Sequence, residues 1–197
     1  MTQSETANPR MTVAEWGELD EDLGGELVDG LIEEEELPTA MHEAVAAFLL
    51  WMLRGWVAAR GGMAFGSELK LALGAGKGRK ADACAYLAGR ALPARRAGAT
   101  TRPPSIVVEV LSARPRDVRR DRVYKLAEYS AFGVEHYWIV DPVARTLEVH
   151  RLARSGEPAL ALSAAEGVHA LPGCDGLSID LDALWAECDR LPESEDE

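Results

Sequence analysis

Cysteine is scarce in this chain of 197 residues. The three present, Cys84, Cys174 and Cys188, are odd in number and form no Cys-x-x-Cys motif, which excludes a disulfide framework and gives no support to a zinc knuckle. A zinc site that adds His42, His136, His150 or His169 would need contacts that no local spacing supports. Long apolar runs are also missing. The longest, residues 44–53, falls well short of the roughly 18 residues that a membrane-spanning helix requires. Segment 1–10 is polar with no hydrophobic centre, which argues against a signal peptide. These absences lead to the expectation of a cytoplasmic protein with no membrane partner. No internal repeat is visible.

Positive charge is in short supply overall, with a net charge of -12, and is wholly absent from residues 15 to 36, which hold eleven acids. A phosphate-binding surface is built from lysine and arginine, so the total by itself argues against a nucleic-acid partner. The distribution argues the other way. From Arg79 to Lys125 there are twelve bases against four acids, a local excess of +8 that would steer a polyanion towards one face. A solvated, arginine-rich helix and loop would give the same count.

What the chain does contain is a hydrophobic fraction of 47%, enough for one globular domain at this length. We place it at residues 11–188, with 1–10 and 189–197 as flexible tails. Thr12 followed by Glu15 is a capping-box signal for a helix over residues 13 to about 21. Asp29-Gly30 between two short apolar pieces marks a tight hairpin. Thr39 starts a long amphipathic helix to about residue 60. Alternation predicts one strand over 64–73 and a second over 79–87; a loop over 88–104 leads to a buried strand over 105–112. A second long helix over 116–132, a strand over 135–140 with a hairpin partner at 146–152, a short strand near residue 160 and a helical turn over 181–186 complete the pattern. Helix, three strands, helix and strand in that order describe an α/β layer.

Two acids break this pattern. Glu109 is the lone carboxylate in Ser105-Ile106-Val107-Val108-Glu109-Val110-Leu111-Ser112, and Asp82 is the lone acid in Ala81-Asp82-Ala83-Cys84-Ala85-Tyr86. An ionised carboxylate buried without a partner costs several kcal/mol, roughly, so a fold that keeps one supplies a cation, a metal or a proton. Adjacent strands lie about 4.8 Å apart, close enough for two such carboxylates to share a hard divalent cation such as Mg2+, with the Val110 carbonyl as a further ligand. The competing reading is a buried salt bridge to Lys125 or an arginine. Lys125, 16 residues after Glu109, would return over the sheet on the following helix and supply positive charge.

The ordered set of Gly25-Glu26-Leu27-Val28-Asp29-Gly30, Ile106 to Ser112, Asp121-Arg122-Val123-Tyr124-Lys125-Leu126-Ala127-Glu128-Tyr129 and Gly133-Val134-Glu135-His136-Tyr137-Trp138-Ile139-Val140-Asp141-Pro142 resembles the PD-(D/E)XK nuclease superfamily. Within it, the chain looks more like a bacterial group of restriction-endonuclease-like proteins long filed as a domain of unknown function. The resemblance spans roughly residues 11 to 185. It implies a restriction-endonuclease-like core, a mixed central β-sheet flanked by helices (αβββαβ) with an N-terminal hairpin. It further implies a nuclease in which Asp82 and Glu109 bind Mg2+ or Mn2+ and Lys125 orients water or stabilises charge. Two departures stand out. Ala81 replaces the proline usual before the aspartate, and Leu111 stands where the lysine usually follows the glutamate.

The same likeness places an acid of the early hairpin, Glu26, among the catalytic residues; otherwise Glu26 is a solvated acid beside a turn. His42 would either face the site or cap and pack its helix. Tyr129, one turn after Lys125, would order the lysine or pack beneath the helix, and Tyr137 and Trp138 read as core and sheet-surface residues. The function expected is cleavage of nucleic acid, with DNA as the substrate and a homodimer suiting double-strand cleavage. The alternatives are a nuclease-like fold retained as a binding or assembly module without turnover, and a small-molecule phosphoesterase, which the +8 segment suits less well.

Overall fold

The capping box at Thr12 forms as the sequence predicts. The Thr12 hydroxyl accepts the Glu15 N–H at 3.2 Å and the Glu15 carboxylate accepts the Thr12 N–H at 2.7 Å. In the computed structural model, which describes residues 10–20, 25–34, 37–112, 120–153 and 157–193, the helix so started is short. α1 (Val13–Gly17) ends before the predicted residue 21, because Trp16 turns inward, fully buried, and donates its indole N–H to the Gly25 carbonyl at 3.1 Å. Of the tails expected at 1–10 and 189–197, residues 1–9 and 194–197 lie outside the described residues, as do the end of the α1 prediction at residue 21 and the start of the second long helix at 116–119.

β1 (Glu26–Val28) and β2 (Leu31–Glu33) form the predicted hairpin. Its Asp29 and Gly30 both have positive φ, 49° and 83°, as a tight two-residue hairpin turn demands. Thr39 caps α2 (Ala40–Ala58) by accepting the His42 N–H at 3.2 Å, and Val45, Leu49, Leu53, Trp56 and Val57 form its buried stripe.

The two strands predicted over 64–73 and 79–87 are each broken in two. β3 (Met63–Gly66) and β6 (Ala83–Tyr86) belong to a six-stranded sheet, whereas β4 (Lys70–Gly74) and β5 (Lys77–Lys80) leave it to pair with the β1–β2 hairpin. The second sheet has the order β2-β1-β5-β4. Asp82 lies at the crossing from one sheet to the other. Its Oδ2 accepts the Val110 N–H at 2.6 Å, so a side chain takes the ladder hydrogen bond that a continuous strand would have made. Asp82 therefore precedes β6 rather than standing within it.

β7 (Ile106–Val110) pairs antiparallel with β6 and parallel with β8 (His136–Asp141). β9 (Thr146–Arg151) and β10 (Ala159–Ala164) complete the sheet, in the order β10-β9-β8-β7-β6-β3. The crossover from β7 to β8 carries a π-helical segment, Arg120–Lys125, that runs into α3 (Leu126–Phe132). A small hairpin of β11 (Val168–Ala170) and β12 (Ser178–Asp180), which the sequence pattern does not show, precedes α4 (Leu181–Cys188). None of the helices among the described residues is long and apolar enough to cross a membrane.

Alternate residues of β7 serve opposite faces of the sheet, as the two-residue period of a strand dictates. Ile106, Val108 and Val110 join α2 and α4 in one core; Val107 and Leu111 join Tyr129 and Phe132 of α3 in the other. Glu109 has the parity of the second set and faces α3. The second sheet is held to α1 at Gly78, where an added Cβ would lie 2.3 Å from the buried Trp16 ring. Gly78→Ala is expected to lower stability by about 1–3 kcal/mol through overpacking, read as a lower denaturant midpoint with unchanged slope. An unchanged midpoint would show that Trp16 is free to shift.

Candidate active site

Asp121, Lys125 and Tyr129 follow one another at four-residue intervals, and the structure points all of them to the buried face of their helix. There they meet Glu109. Lys125 Nζ lies 3.0 Å from Glu109 Oε2, 3.2 Å from Glu26 Oε1 and 3.4 Å from Asp121 Oδ1. The Tyr129 hydroxyl donates to Glu109 Oε1 at 2.6 Å, and the Tyr137 hydroxyl donates to the Asp121 carbonyl at 3.1 Å, fixing the π-helical segment to the sheet. Single π-helical turns of this kind are often found at functional sites. The four charged groups are almost sealed from solvent: Glu26, Asp121 and Lys125 are 3% exposed and Glu109 is 4% exposed.

The electrostatics of this cluster are unbalanced. Burial pushes the Glu109 carboxyl well above its usual range; Lys125 opposes that, while the negative charges of Asp121, Asp82 and Glu26 add to it. For Lys125 burial works against the charge, but Glu109, Glu26 and Asp121 outweigh it and raise the ammonium above its ordinary value. The lysine is therefore a permanent cation. Burial also raises the Tyr129 hydroxyl, with the Glu109 charge reinforcing it, so Tyr129 stays protonated and donates.

Glu26 reaches the site from the second sheet. Burial would raise its carboxyl, yet Lys125, Arg79 and the Lys80 N–H together bring it below the ordinary value. Both of its oxygens are engaged: Oε2 accepts Arg79 Nη1 at 2.8 Å and Oε1 accepts the Lys80 N–H at 3.1 Å besides facing Lys125. Arg79 continues to Glu128 of α3 at 2.8 Å, and Lys77 faces the same Glu128 at 3.4 Å. The crossing hairpin thus braces the helix that carries Lys125.

Asp82 stands beside this cluster and faces α2. His42 Nε2 lies 3.4 Å from its Oδ1. Burial lowers the basicity of His42, but the Asp82 carboxylate more than offsets that and the imidazole ends above its ordinary value.

The structure brings together Glu26, Glu109 and Lys125, and sets Asp82 one register step beyond the Ala83–Val108 pair, at the level of Glu109. Lys125 is not a surface lysine, Glu26 is not a solvated acid, and Tyr129 packs beneath the helix with its hydroxyl on Glu109 rather than on Lys125. Asp121 and Arg79 were not singled out from the sequence. Asp121 had a signal, its four-residue spacing from Lys125; Arg79 had none, because it arrives from a hairpin whose exit from the main sheet the alternation pattern conceals. If Glu109 holds a divalent cation, Tyr129→Phe is expected to weaken its affinity about 10–100-fold, measured by titration calorimetry, because the hydroxyl orients Glu109. Unchanged affinity would leave Tyr129 a packing residue.

Among the described residues, no group of three or more His, Cys, Asp or Glu side chains is arranged to hold a metal ion. The family model of Uma2, described as "Putative restriction endonuclease", matches residues 14–183. Among solved structures, a putative nuclease belonging to DUF820 from Anabaena variabilis is similar with a TM-score of 0.73 and 19% identity, over 90% of this chain and 99% of that one. That likeness shows the fold, a mixed α/β core, and leaves the chemistry to the residues. No curated protein matches the chain.

Proposed function

Because the chain belongs to the Uma2 family of putative restriction endonucleases, we propose that it is a divalent-metal-dependent endonuclease that hydrolyses phosphodiester bonds, with DNA as its substrate. The observation that carries this reading is the buried lysine, Lys125, held protonated between Glu109, Glu26 and Asp121 beside a further carboxylate, Asp82. Glu109 makes the buried salt bridge to Lys125, yet burial, with Asp121, Asp82 and Glu26 adding to it, still leaves its carboxyl above the ordinary range. An all-oxygen donor set with surplus negative charge suits Mg2+ or Mn2+, which take one or two carboxylates with waters and a phosphate oxygen. Asp82 and Glu109 are the residues that would hold the ion. Two of about four lone-pair directions of Glu109 are used by Lys125 and Tyr129, so accepting capacity remains. When bound, such an ion neutralises phosphoryl charge and lowers the pKa of a bound water.

The chain's own groups divide the remaining work. Lys125 does not abstract a proton, since its ammonium is held charged; it donates to a non-bridging phosphate oxygen or to the attacking water and stabilises charge as it develops. Tyr129 and Val110 N–H fix the orientations of Glu109 and Asp82. Glu26, with its oxygens committed to Lys125, Arg79 and Lys80, acts through the lysine as a positioning residue.

The test is incubation of the full chain with supercoiled plasmid and Mg2+ or Mn2+. Nicking or linearisation is expected from the parent and its loss from Glu109→Gln and Lys125→Met. No cleavage of any DNA or RNA form, together with metal binding by Glu109→Gln as tight as the parent's, would overturn the proposal. A second reading, a binding or assembly module without turnover, is favoured by the lack of three converging ligands among the described residues. Calorimetry separates the two: heat of Mg2+ binding at millimolar metal belongs to the nuclease, and its absence to the module.

A further inference from the structure

Arg120 opens the π-helical segment that Lys125 closes, and the helical geometry decides what that spacing means. In an α-helix, at 3.6 residues per turn, residues five apart point about 140° away from one another. A π-helix bonds i to i+5 on a wider turn, which brings the first and last residues of this segment towards one face. The side-chain contacts agree. Asp121 Oδ1 lies 3.3 Å from Arg120 Nε and 3.4 Å from Lys125 Nζ, so one carboxylate oxygen is flanked by both cations.

The charge of the arginine reaches the buried cluster. Burial would raise the Glu26 carboxyl, and Arg120 adds to Lys125, Arg79 and the Lys80 N–H in bringing it below its ordinary value. At Lys125, Arg120 works with burial against the three carboxylates that keep the ammonium charged. What separates the two cations is access. The Arg120 side chain is 23% exposed, against 4% for that of Lys125, so a phosphate arriving from solvent meets the arginine first. Its hold on Asp121 is loose: 3.3 Å exceeds the roughly 2.7–2.9 Å of a charge-assisted N–H···O bond.

We propose that Arg120 is a second catalytic cation, its guanidinium taking two oxygens of the scissile phosphate at the rim of the site while Lys125 supports the same charge from within. A planar guanidinium matches two phosphate oxygens at once, where an ammonium offers a point charge. Negative charge builds on those oxygens as water adds, so a donor aimed at them acts in the transition state. The inference rests on the phosphodiester-cleaving reading above and adds a substrate-contacting residue to Asp82, Glu109 and Lys125.

The test is the rate at which the full chain nicks supercoiled plasmid at saturating Mg2+ and DNA, for the parent, Arg120→Ala and Arg120→Lys, with circular dichroism to verify the fold of each. The alanine variant is expected to be slower by about 10²–10³-fold with unchanged Mg2+ affinity by calorimetry, and millimolar methylguanidinium is expected to restore part of its rate. Arg120→Lys keeps a cation beside Asp121 but loses the two-point contact, and is expected to stay at least about tenfold slow. A parental rate in either variant, weaker Mg2+ binding by the alanine variant, or no rescue by methylguanidinium overturns the role of Arg120 and leaves the nuclease reading intact. Failure of the parent to cleave any DNA or RNA form overturns both.

Discussion

Lys125→Met is expected to lower the free energy of unfolding by about 3–5 kcal/mol and to abolish cleavage. Among the described residues, the lysine is the only one that pairs with Glu109, Glu26 and Asp121 together, and all of them are buried. Methionine fills similar volume but leaves Glu109 without a cationic partner; Glu26 keeps Arg79 at 2.8 Å and Asp121 keeps Arg120 at 3.3 Å. The loss should shrink on acidification. Without the lysine, the folded-state pKa of Glu109 rises further above its unfolded value, so the penalty is present above that folded pKa and relieved as pH falls through it. Denaturant titrations of parent and variant across pH 5 to 8, in conditions that keep both folded, measure this. A variant within about 1 kcal/mol of the parent at every pH would mean that the cluster is hydrated and the lysine dispensable to the fold.

Glu109→Gln is the second large effect, with the opposite balance. It should reduce cleavage by at least roughly 10²–10³-fold, yet in metal-free buffer at pH 8 the variant should be no less stable than the parent. The asymmetry comes from what each substitution strands. Removing Glu109 leaves Lys125 with Glu26 at 3.2 Å and Asp121 at 3.4 Å, so no buried cation is orphaned. The Glu109 carboxyl is raised in the folded chain, so ionising it opposes folding: the parent loses stability as pH rises from the unfolded carboxyl value towards the raised folded one. His42, also raised, loses its own contribution as pH rises through its folded value, but it does so in parent and variant alike. The difference between the two curves therefore isolates Glu109. Mg2+ at about 100 times its dissociation constant should stabilise the parent by about 2.7 kcal/mol and the variant far less. A variant markedly less stable than the parent at pH 8, with the same pH slope, would identify Glu109 as a structural ion-pair member.

Much of this candidate site is legible in the sequence. Glu109 and Asp82 stood out because a carboxylate in a strand of small and apolar residues is energetically conspicuous, and Lys125 because a helix following the strand returns over the same sheet face. The caps at Thr12 and Thr39 and the Asp29-Gly30 turn are local chemistry, decided within four residues, and they form as the sequence indicates. The failures share one cause. The strands predicted over 64–73 and 79–87 alternate correctly along their length, but alternation does not reveal which sheet a strand joins. The break at Asp82 arises from a hydrogen bond to Val110, 28 residues away, and Arg79 reaches Glu26 across 53 residues.

By itself, then, the sequence determined the conspicuous carboxylates, the lysine that follows them and the α/β order around them, since periodicity and side-chain chemistry are properties of short segments. Only the tertiary structure decided which oxygens Lys125 faces, that Glu26 and Arg79 brace it from a second sheet, and that Asp82 is turned towards His42. Those outcomes depend on burial and on contacts between distant segments, where a difference of a few kcal/mol, roughly, between alternative pairings selects one arrangement.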